Sequence, residues 1–210
     1  DGGKTWQKLA GGLPQNDHSG ASDIVMDPVN PNVLYAGIWE RTRLPYVFNS
    51  GGMDGGLYKT TNGGTTWTKM TNGLPAGPTG KITFSIYRKD PRIISVIVEA
   101  PQSADLSVPG TGIYRTENAG ASWTYVNRSN GRPFYFSHIY LDPNNSQRLY
   151  MLAATATVSE DGGRTFGRNL PGIEGDFHAL WIDPNNSDRF YVANDKGAYV
   201  TYDRGYRFVM

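Results

Sequence analysis

The chain contains no cysteine. Disulfides, thiolate metal sites and cysteine nucleophiles are therefore excluded, while the compartment stays open. Long apolar runs are also missing. None approaches the ~20 residues that a membrane-spanning helix needs. Charge is sparse and balanced: charged residues make up 19% of the chain, and 20 Lys+Arg against 19 Asp+Glu leave a net charge of +1. That balance carries no footprint of a nucleic-acid or anionic-membrane binder. Uninterrupted helical stretches are absent as well, because turn-formers break every segment before three helical turns are complete. Helical bundles and coiled coils are thereby excluded. What is abundant is glycine (26), proline (13) and aromatic residues (12%, with 13 Tyr and 5 Trp). Such aromatic content excludes disorder. The composition leaves an all-β, turn-rich protein, long enough at 210 residues to bury a sizeable core.

One short pattern recurs along the chain. It reads Ser/Thr, any, Asp/Asn, any, Gly, any, any, aromatic, and is called the box below. Copies begin at Thr60, Thr116, Ser159 and Thr201 and close on Trp67, Trp123, Phe166 and Phe208. Asp1-Gly2-Gly3-Lys4-Thr5-Trp6 is a fifth copy without its first two residues. A second pattern, Asp-Pro, runs in phase with the first at Asp27, Asp90, Asp142 and Asp183. Successive closing aromatics stand 61, 56, 43 and 42 residues apart, the spacing of multi-stranded propeller blades. Opening and stopping inside copies of a motif, and lacking a signal peptide at residue 1, the chain reads as an excised piece.

Each unit parses into four strands. Strand A precedes Asp-Pro, where Asp suits the first turn position and Pro presets φ at the second. Strand B follows the turn, strand C leads into the box, and strand D carries the aromatic. In the box, the Asp/Asn side chain can bond backbone N–H groups of the turn. Gly supplies positive φ, and the closing Trp or Phe can bury roughly 150–250 Å² between sheets. The fold expected is a β-propeller of four-stranded antiparallel blades, about four of them, forming a segment of a larger propeller. Residues 1–10 are expected as strand D of a preceding blade, followed by blades at 22–70, 81–127 and 136–168 and an incomplete blade at 177–210. The rival arrangement has residues 4–9 lying beside 198–202 to close a four-bladed ring.

These residues resemble the Asp-box, or BNR, repeat found in sialidases, two-propeller xyloglucanases, the sortilin/VPS10 propeller and a photosystem-assembly propeller. The overall look is similar to large bacterial sortilin-like BNR-repeat proteins, which are often labelled glycosyl hydrolases. The resemblance covers essentially the whole chain and implies a propeller outside the cytoplasm, with boxes that are structural and lie away from active sites. A sialidase Arg-Ile-Pro motif is not present. The xyloglucanase catalytic aspartates sit in strand-A contexts, and Asp23 is the nearest positional candidate here, without a motif match.

Both recurring turns, A–B and C–D, fall on one rim. The D–A and B–C loops fall on the other and vary widely, as loops that carry function do. The first B–C loop starts at Trp39-Glu40-Arg41 and runs to Gly55; the second runs from Glu99 to Thr111. Candidate ligand-binding residues on this face are Trp39, Arg41, Arg132, Tyr135, His138, His178 and Asn194. Trp39, Tyr46, Phe134, Tyr135 and Phe136 form either a sugar-stacking platform or loop packing. His138 and His178 are a metal pair, acid–base groups or ordinary hydrogen-bonded histidines. Glu40, Glu99, Asp176 and Asp195 are the carboxylates from which a glycosidase pair ~5–9.5 Å apart would come; Glu40 beside Arg41 also reads as a structural ion pair. Asn194-Asp195-Lys196-Gly197 reads as a tight hairpin turn. No cofactor, metal site, nucleic-acid partner or membrane insertion is expected. Binding of a protein, peptide or carbohydrate on the loop face is the favoured reading, with a glycoside hydrolase and an architectural platform as rivals.

Overall fold

The computed structural model describes residues 1–105 and 108–209. It contains four antiparallel sheets, and no helix among the described residues. The first sheet comprises β1 (Ser19–Met26), β2 (Leu34–Leu44), β3 (Val47–Ser50), β4 (Gly56–Thr60) and β5 (Thr68–Lys69). The second comprises β6 (Ile82–Ile86), β7 (Ile94–Val98), β8 (Gly112–Thr116) and β9 (Thr124–Asn127). The third comprises β10 (His138–Asp142), β11 (Asn145–Leu152), β12 (Ala156–Ser159) and β13 (Arg168–Asn169). The fourth comprises β14 (Phe177–Ile182), β15 (Phe190–Asn194) and β16 (Gly197–Thr201), with Val209 bridging Val200 where a fourth strand would run. Each sheet is a meander, and the first strands β1, β6, β10 and β14 pack side by side in chain order. The architecture is a four-blade β-propeller.

The two sequence motifs turn out to be one device. In each Asp-Pro turn the Asp carboxylate is an acceptor for a backbone N–H two residues on, at 2.8 Å from Val29, Asn144 and Asn185 and 3.1 Å from Arg92. In each box the Ser/Thr hydroxyl donates to the Asp/Asn side chain and accepts the N–H of the following glycine. The fourth box residue then reaches across to the Asp-Pro turn of its own sheet. Gly63 N–H donates to Asn32 O at 2.9 Å, Ala119 to Arg92 O at 2.9 Å, Gly162 to Gln147 O at 2.8 Å and Arg204 to Asp188 O at 2.9 Å. All four donors have left-handed φ, which explains the glycine at two of them. One rim is therefore a row of four similar double turns, with one offset. Tyr87 N–H donates to Ile93 O as Asp27 N–H does to Val33 O and Asp183 N–H to Arg189 O, so Asp90 stands at the place of Asn30 and Asn186, three residues out of register with the other Asp-Pro pairs.

Cores lie between consecutive sheets. Tyr35 and Leu57 of the first sheet pack on Phe84, Ile86 and Trp123 of the second. Ile97 and Ile113 pack on Ile139 and Leu141, and Tyr150 and Val158 pack on Leu180, Ile182 and Phe190. Side chains of the first strands also bond forward: Asp23 to Phe84 N–H and Ser85 to Leu141 N–H. The turn after β5 uses a glycine of necessity, since a Cβ on Gly73 (φ +81) would stand 1.9 Å from Trp123 O.

Two expectations are corrected in detail, and the rival arrangement is not found. Lys4–Leu9 is irregular and exposed, with Trp6 91% exposed, because no neighbouring strand offers its edge. Its half box still folds, with Asp1 capping the N–H groups of Gly3, Lys4 and Thr5. Closure through residues 4–9 is not seen either. Gly11 O accepts Trp67 N–H on the first sheet, and Val209 pairs with Val200 on the fourth. Finally, the first B–C loop is largely strand, because β2 runs on to Leu44 and returns as β3. Residues 106 and 107 of the second B–C loop lie outside the described residues.

Candidate functional site

The β2–β3 extension stands above the loop rim. Strand alternation puts Trp39, Arg41 and Arg43 on one side and Glu40 and Thr42 on the other. Cross-strand partners share a side, so Ser50 (opposite Arg41) and Phe48 (opposite Arg43) join the first set. One side of the hairpin is thus aromatic and cationic, with its carboxylate turned away.

Facing it is the loop between β9 and β10. Asn130 donates to Val98 O at 3.1 Å and Ser137 Oγ donates to Pro133 O at 2.6 Å. Arg132 and Ser137 both have φ near +51. Such backbone strain persists where the surroundings hold it and is characteristic of functional loops. The loop presents Phe134 and Tyr135 and buries Phe136 completely.

Between hairpin and loop lies a cleft of about 430 Å³, lined by Trp39, Arg41, Arg43, Phe48, Lys81, Phe134 and Tyr135. That volume suits a small-molecule or sugar-sized ligand. Aromatic rings run from the cleft across the rim. Centroids are 4.9 Å apart for Phe48–Phe134, 6.0 Å for Phe134–Tyr135, 5.4 Å for Tyr135–Phe136 and 6.4 Å for Phe136–His178. The Arg41 guanidinium sits 4.9 Å from the Trp39 ring centroid and 5.6 Å from that of Phe48, and Arg132 sits 5.1 Å from that of Tyr135.

A hydrogen-bond chain fixes the platform from behind. Trp39 Nε1–H donates to Ser50 Oγ (2.9 Å), and Ser50 donates to Glu99 Oε2 (2.6 Å). Lys81 N–H donates to the same carboxylate oxygen at 2.8 Å. Lys81 Nζ donates to Tyr135 O at 3.1 Å. Burial lowers the Lys81 pKa, against the opposing pull of Glu99 and Asp23.

Trp39, Arg41, Arg132 and Tyr135 thus come together with Phe134. Tyr46 does not: it caps the hairpin tip, 85% exposed. His178 and Asn194 lie on the fourth sheet. There His178 Nε2 and Asp195 Oδ1 are 2.7 Å apart, and the Asn194 side chain caps the two-residue turn by accepting Lys196 and Gly197 N–H. Among the carboxylates, Glu40 accepts Asp54 N–H and Glu99 serves the chain above. Asp176 contributes its carbonyl to Asp195 N–H. Phe48, Ser50, Arg43 and Lys81 are functional candidates that sequence reasoning missed. The alternation 39, 41, 43 was the available signal for the hairpin; Lys81 had none.

A groove of about 880 Å³ runs along β1, β6 and β10, lined by Asp23, Thr83, Ser85, His138 and Tyr140 among others. Burial pushes the Asp23 carboxyl up, but its oxygens accept Ile24 and Phe84 N–H at 2.9 and 3.1 Å, a sheet-to-sheet clamp. Burial, helped by the charges of Lys81 and His178, lowers His138 to about 4. No cluster of three or more metal-ligating side chains occurs among the described residues, and no helix there is long and apolar enough to cross a membrane.

No family model and no curated protein sequence matches the chain. Solved structures do. An ancestral GH74 enzyme superposes with a TM-score of 0.61 at 18% identity, over 97% of this chain and 25% of the enzyme. The GH74 xyloglucanase from Xanthomonas campestris gives 0.51 at 21% identity, over 86% of this chain and 24% of the enzyme. YCF48 from Cyanidioschyzon merolae gives 0.52 at 14% identity, over 90% of this chain and 55% of that protein. This chain spans about a quarter of the length of those two enzymes. At these identities the likeness is one of fold.

Proposed function

We propose that the chain is a glycan-binding propeller unit that works outside the cytoplasm and holds its ligand in the cleft between the β2–β3 hairpin and the loop carrying Phe134 and Tyr135. The observation that carries this reading is the set of ring faces left accessible on a braced scaffold. Phe48 and Phe134 are each more than a third exposed and Tyr135 is half exposed, while the hydrogen bonds behind Trp39 and Lys81 fix the wall. Pyranose C–H faces stack on such rings, and the ordered scaffold lowers the entropic cost of binding. The GH74 likeness supports a carbohydrate-related propeller and adds no residue roles. Glu99 is read as a positioning residue, because both donors on Oε2 are structural. A glycan array, followed by titration of hits against Phe134→Ala and Tyr135→Ala, tests the reading. Loss of at least tenfold in affinity is expected. Retained affinity in both variants would place the ligand elsewhere.

A further inference from the structure

Two guanidiniums, Arg41 and Arg43, line this cleft, and a third, Arg132, lies over the ring of its wall residue Tyr135. Arg41, Arg43 and Arg132 form no ion pair with any described residue, whereas Arg92, Arg115, Arg148, Arg189, Arg204 and Arg207 each have an acidic partner. Arg88, Arg128, Arg164 and Arg168 also lack an acidic partner among the described residues, but the last three donate to backbone carbonyls and none of the four lines the cleft. In a chain with a net charge of only +1, two unpaired cations on one side of one hairpin and a third on the facing loop are a local departure from balance. Lys81 adds a fourth positive charge at the cleft wall. The nearest acid of β2, Glu40, points to the opposite side and accepts Asp54 N–H. Glu99 lies behind the platform, where Ser50 and Lys81 donate to it. The charge that faces the ligand is therefore positive. Arg41 and Arg132 are also pre-set: each lies over an aromatic ring, which limits the fork's freedom and leaves N–H groups free to grip a carboxylate.

Resting on the glycan reading above, we propose that the ligand is a uronate-containing polysaccharide. Its pyranose faces stack on Phe48, Phe134 and Tyr135, and its carboxylates are taken by Arg41 and Arg132. A neutral glycan would leave the guanidiniums unused, and an acidic peptide would leave the ring faces without matching sugar rings.

Titration of the 210-residue chain by tryptophan fluorescence and calorimetry tests this, with oligogalacturonate, a neutral xyloglucan oligosaccharide and an oligoglutamate as probes. Expected is binding of oligogalacturonate at least tenfold tighter than xyloglucan, weakening as salt rises past physiological strength. Arg41→Gln and Arg132→Gln should each lower the oligogalacturonate affinity roughly 10- to 100-fold, the range for losing one charge-assisted hydrogen-bonded contact. Arg88→Gln, remote from the cleft, should leave it unchanged. Equal binding of the two sugars, or insensitivity to both arginine variants, would overturn the uronate assignment and leave the glycan reading standing. Binding of oligoglutamate alone would sink both. Thermal melts of the glutamine variants separate lost contacts from lost folding.

Discussion

Tyr35 and Tyr150 occupy the same place in two sheets, opposite Val25 and Tyr140 on the first strand, and both are fully buried against the next sheet. Their hydroxyls differ. Tyr35 donates to Ala119 O at 3.0 Å, while the buried Tyr150 hydroxyl has no partner among the described residues. Removing each with phenylalanine should give opposite signs. At position 35 the loss is one net hydrogen bond, about 0.5–1.5 kcal/mol. It stays at that level because Lys59 Nζ also donates to Ala119 O, at 2.8 Å, so the carbonyl is not orphaned. At position 150 the variant sheds a buried, unpartnered hydroxyl, whose desolvation costs about 1–3 kcal/mol. Tyr150→Phe should therefore gain about 1 kcal/mol, and the two variants should differ by roughly 1.5–2.5 kcal/mol. In a chain of this size that is a spread of about 3–10 °C in Tm, at ~2–4 °C per kcal/mol. Urea denaturation with unchanged m would report the same order in midpoints. A Tyr150→Phe variant that loses 1 kcal/mol or more would refute an unpartnered hydroxyl.

Ala119 holds φ +55 in the box position where two other copies have glycine. Ala119→Gly should stabilise by about 0.5–1 kcal/mol in denaturant melts, the relief of left-handed strain exceeding the added freedom of the unfolded chain. His138 ionises near 4 in the fold against 6.5 when free, so the unfolded chain takes up the proton first as pH falls. Its stabilising contribution is complete above pH 6.5 and is lost progressively down to about pH 4. At 1.36 kcal/mol per pH unit the ceiling is about 3 kcal/mol, and partial exposure of the ring brings the expected loss to about 1–2 kcal/mol. His138→Gln should flatten that part of the stability–pH curve, and an unchanged slope would assign it to other groups. Glu99→Ala should loosen Trp39, shift its fluorescence and weaken ligand roughly tenfold, whereas Glu99→Gln, which keeps an acceptor for Ser50 and Lys81, should restore both readouts.

The scaffold was largely legible because the box and the Asp-Pro turn are local chemistry. A hydroxyl two residues before an Asp or Asn, then a glycine, can close only one kind of turn, and four copies in phase count the sheets. That the box and the Asp-Pro turn bond to each other was not legible, since the bond from Ala119 to Arg92 spans 27 residues and carries no side-chain mark. The site was half legible. Trp39, Arg41, Arg132 and Tyr135 announced themselves as aromatic and cationic residues in variable loops. The hairpin that assembles them did not, because Pro45 and Asn49-Ser50-Gly51-Gly52 read as loop punctuation, whereas the pairing of Arg43 with Phe48 decides which residues share a side. Lys81 enters the cleft only through its tertiary contact with Tyr135. The histidines attracted attention by chemistry alone; the fold gives one to an aspartate and turns the other into a neutral wall group.

Ile24 and Ile139 show how much of a residue's energetic worth comes from its place in the arc. Both stand three residues before the turn Asp, with Met26 and Leu141 two positions further on. The pairs Phe84/Ile86, Ile139/Leu141 and Leu180/Ile182 are all buried against the preceding sheet, none more than 8% exposed. Ile24 and Met26 are 58% and 51% exposed, because their sheet is first. The other end mirrors this. Trp181 and Tyr191 repeat the pairing of Tyr140 with Tyr150, yet both stand about half exposed. In the isolated chain Ile139→Ala should cost about 2–4 kcal/mol, as buried isoleucine truncations do, and Ile24→Ala less than about 0.5 kcal/mol. Equal costs would mean that Ile24 is covered in solution, and sedimentation would then show whether a second copy covers it. Unequal costs would leave two sheet faces whose sequence matches the buried pattern of their counterparts but whose burial contributes nothing to the chain alone. That is the signature expected if the four blades are an arc of a larger ring.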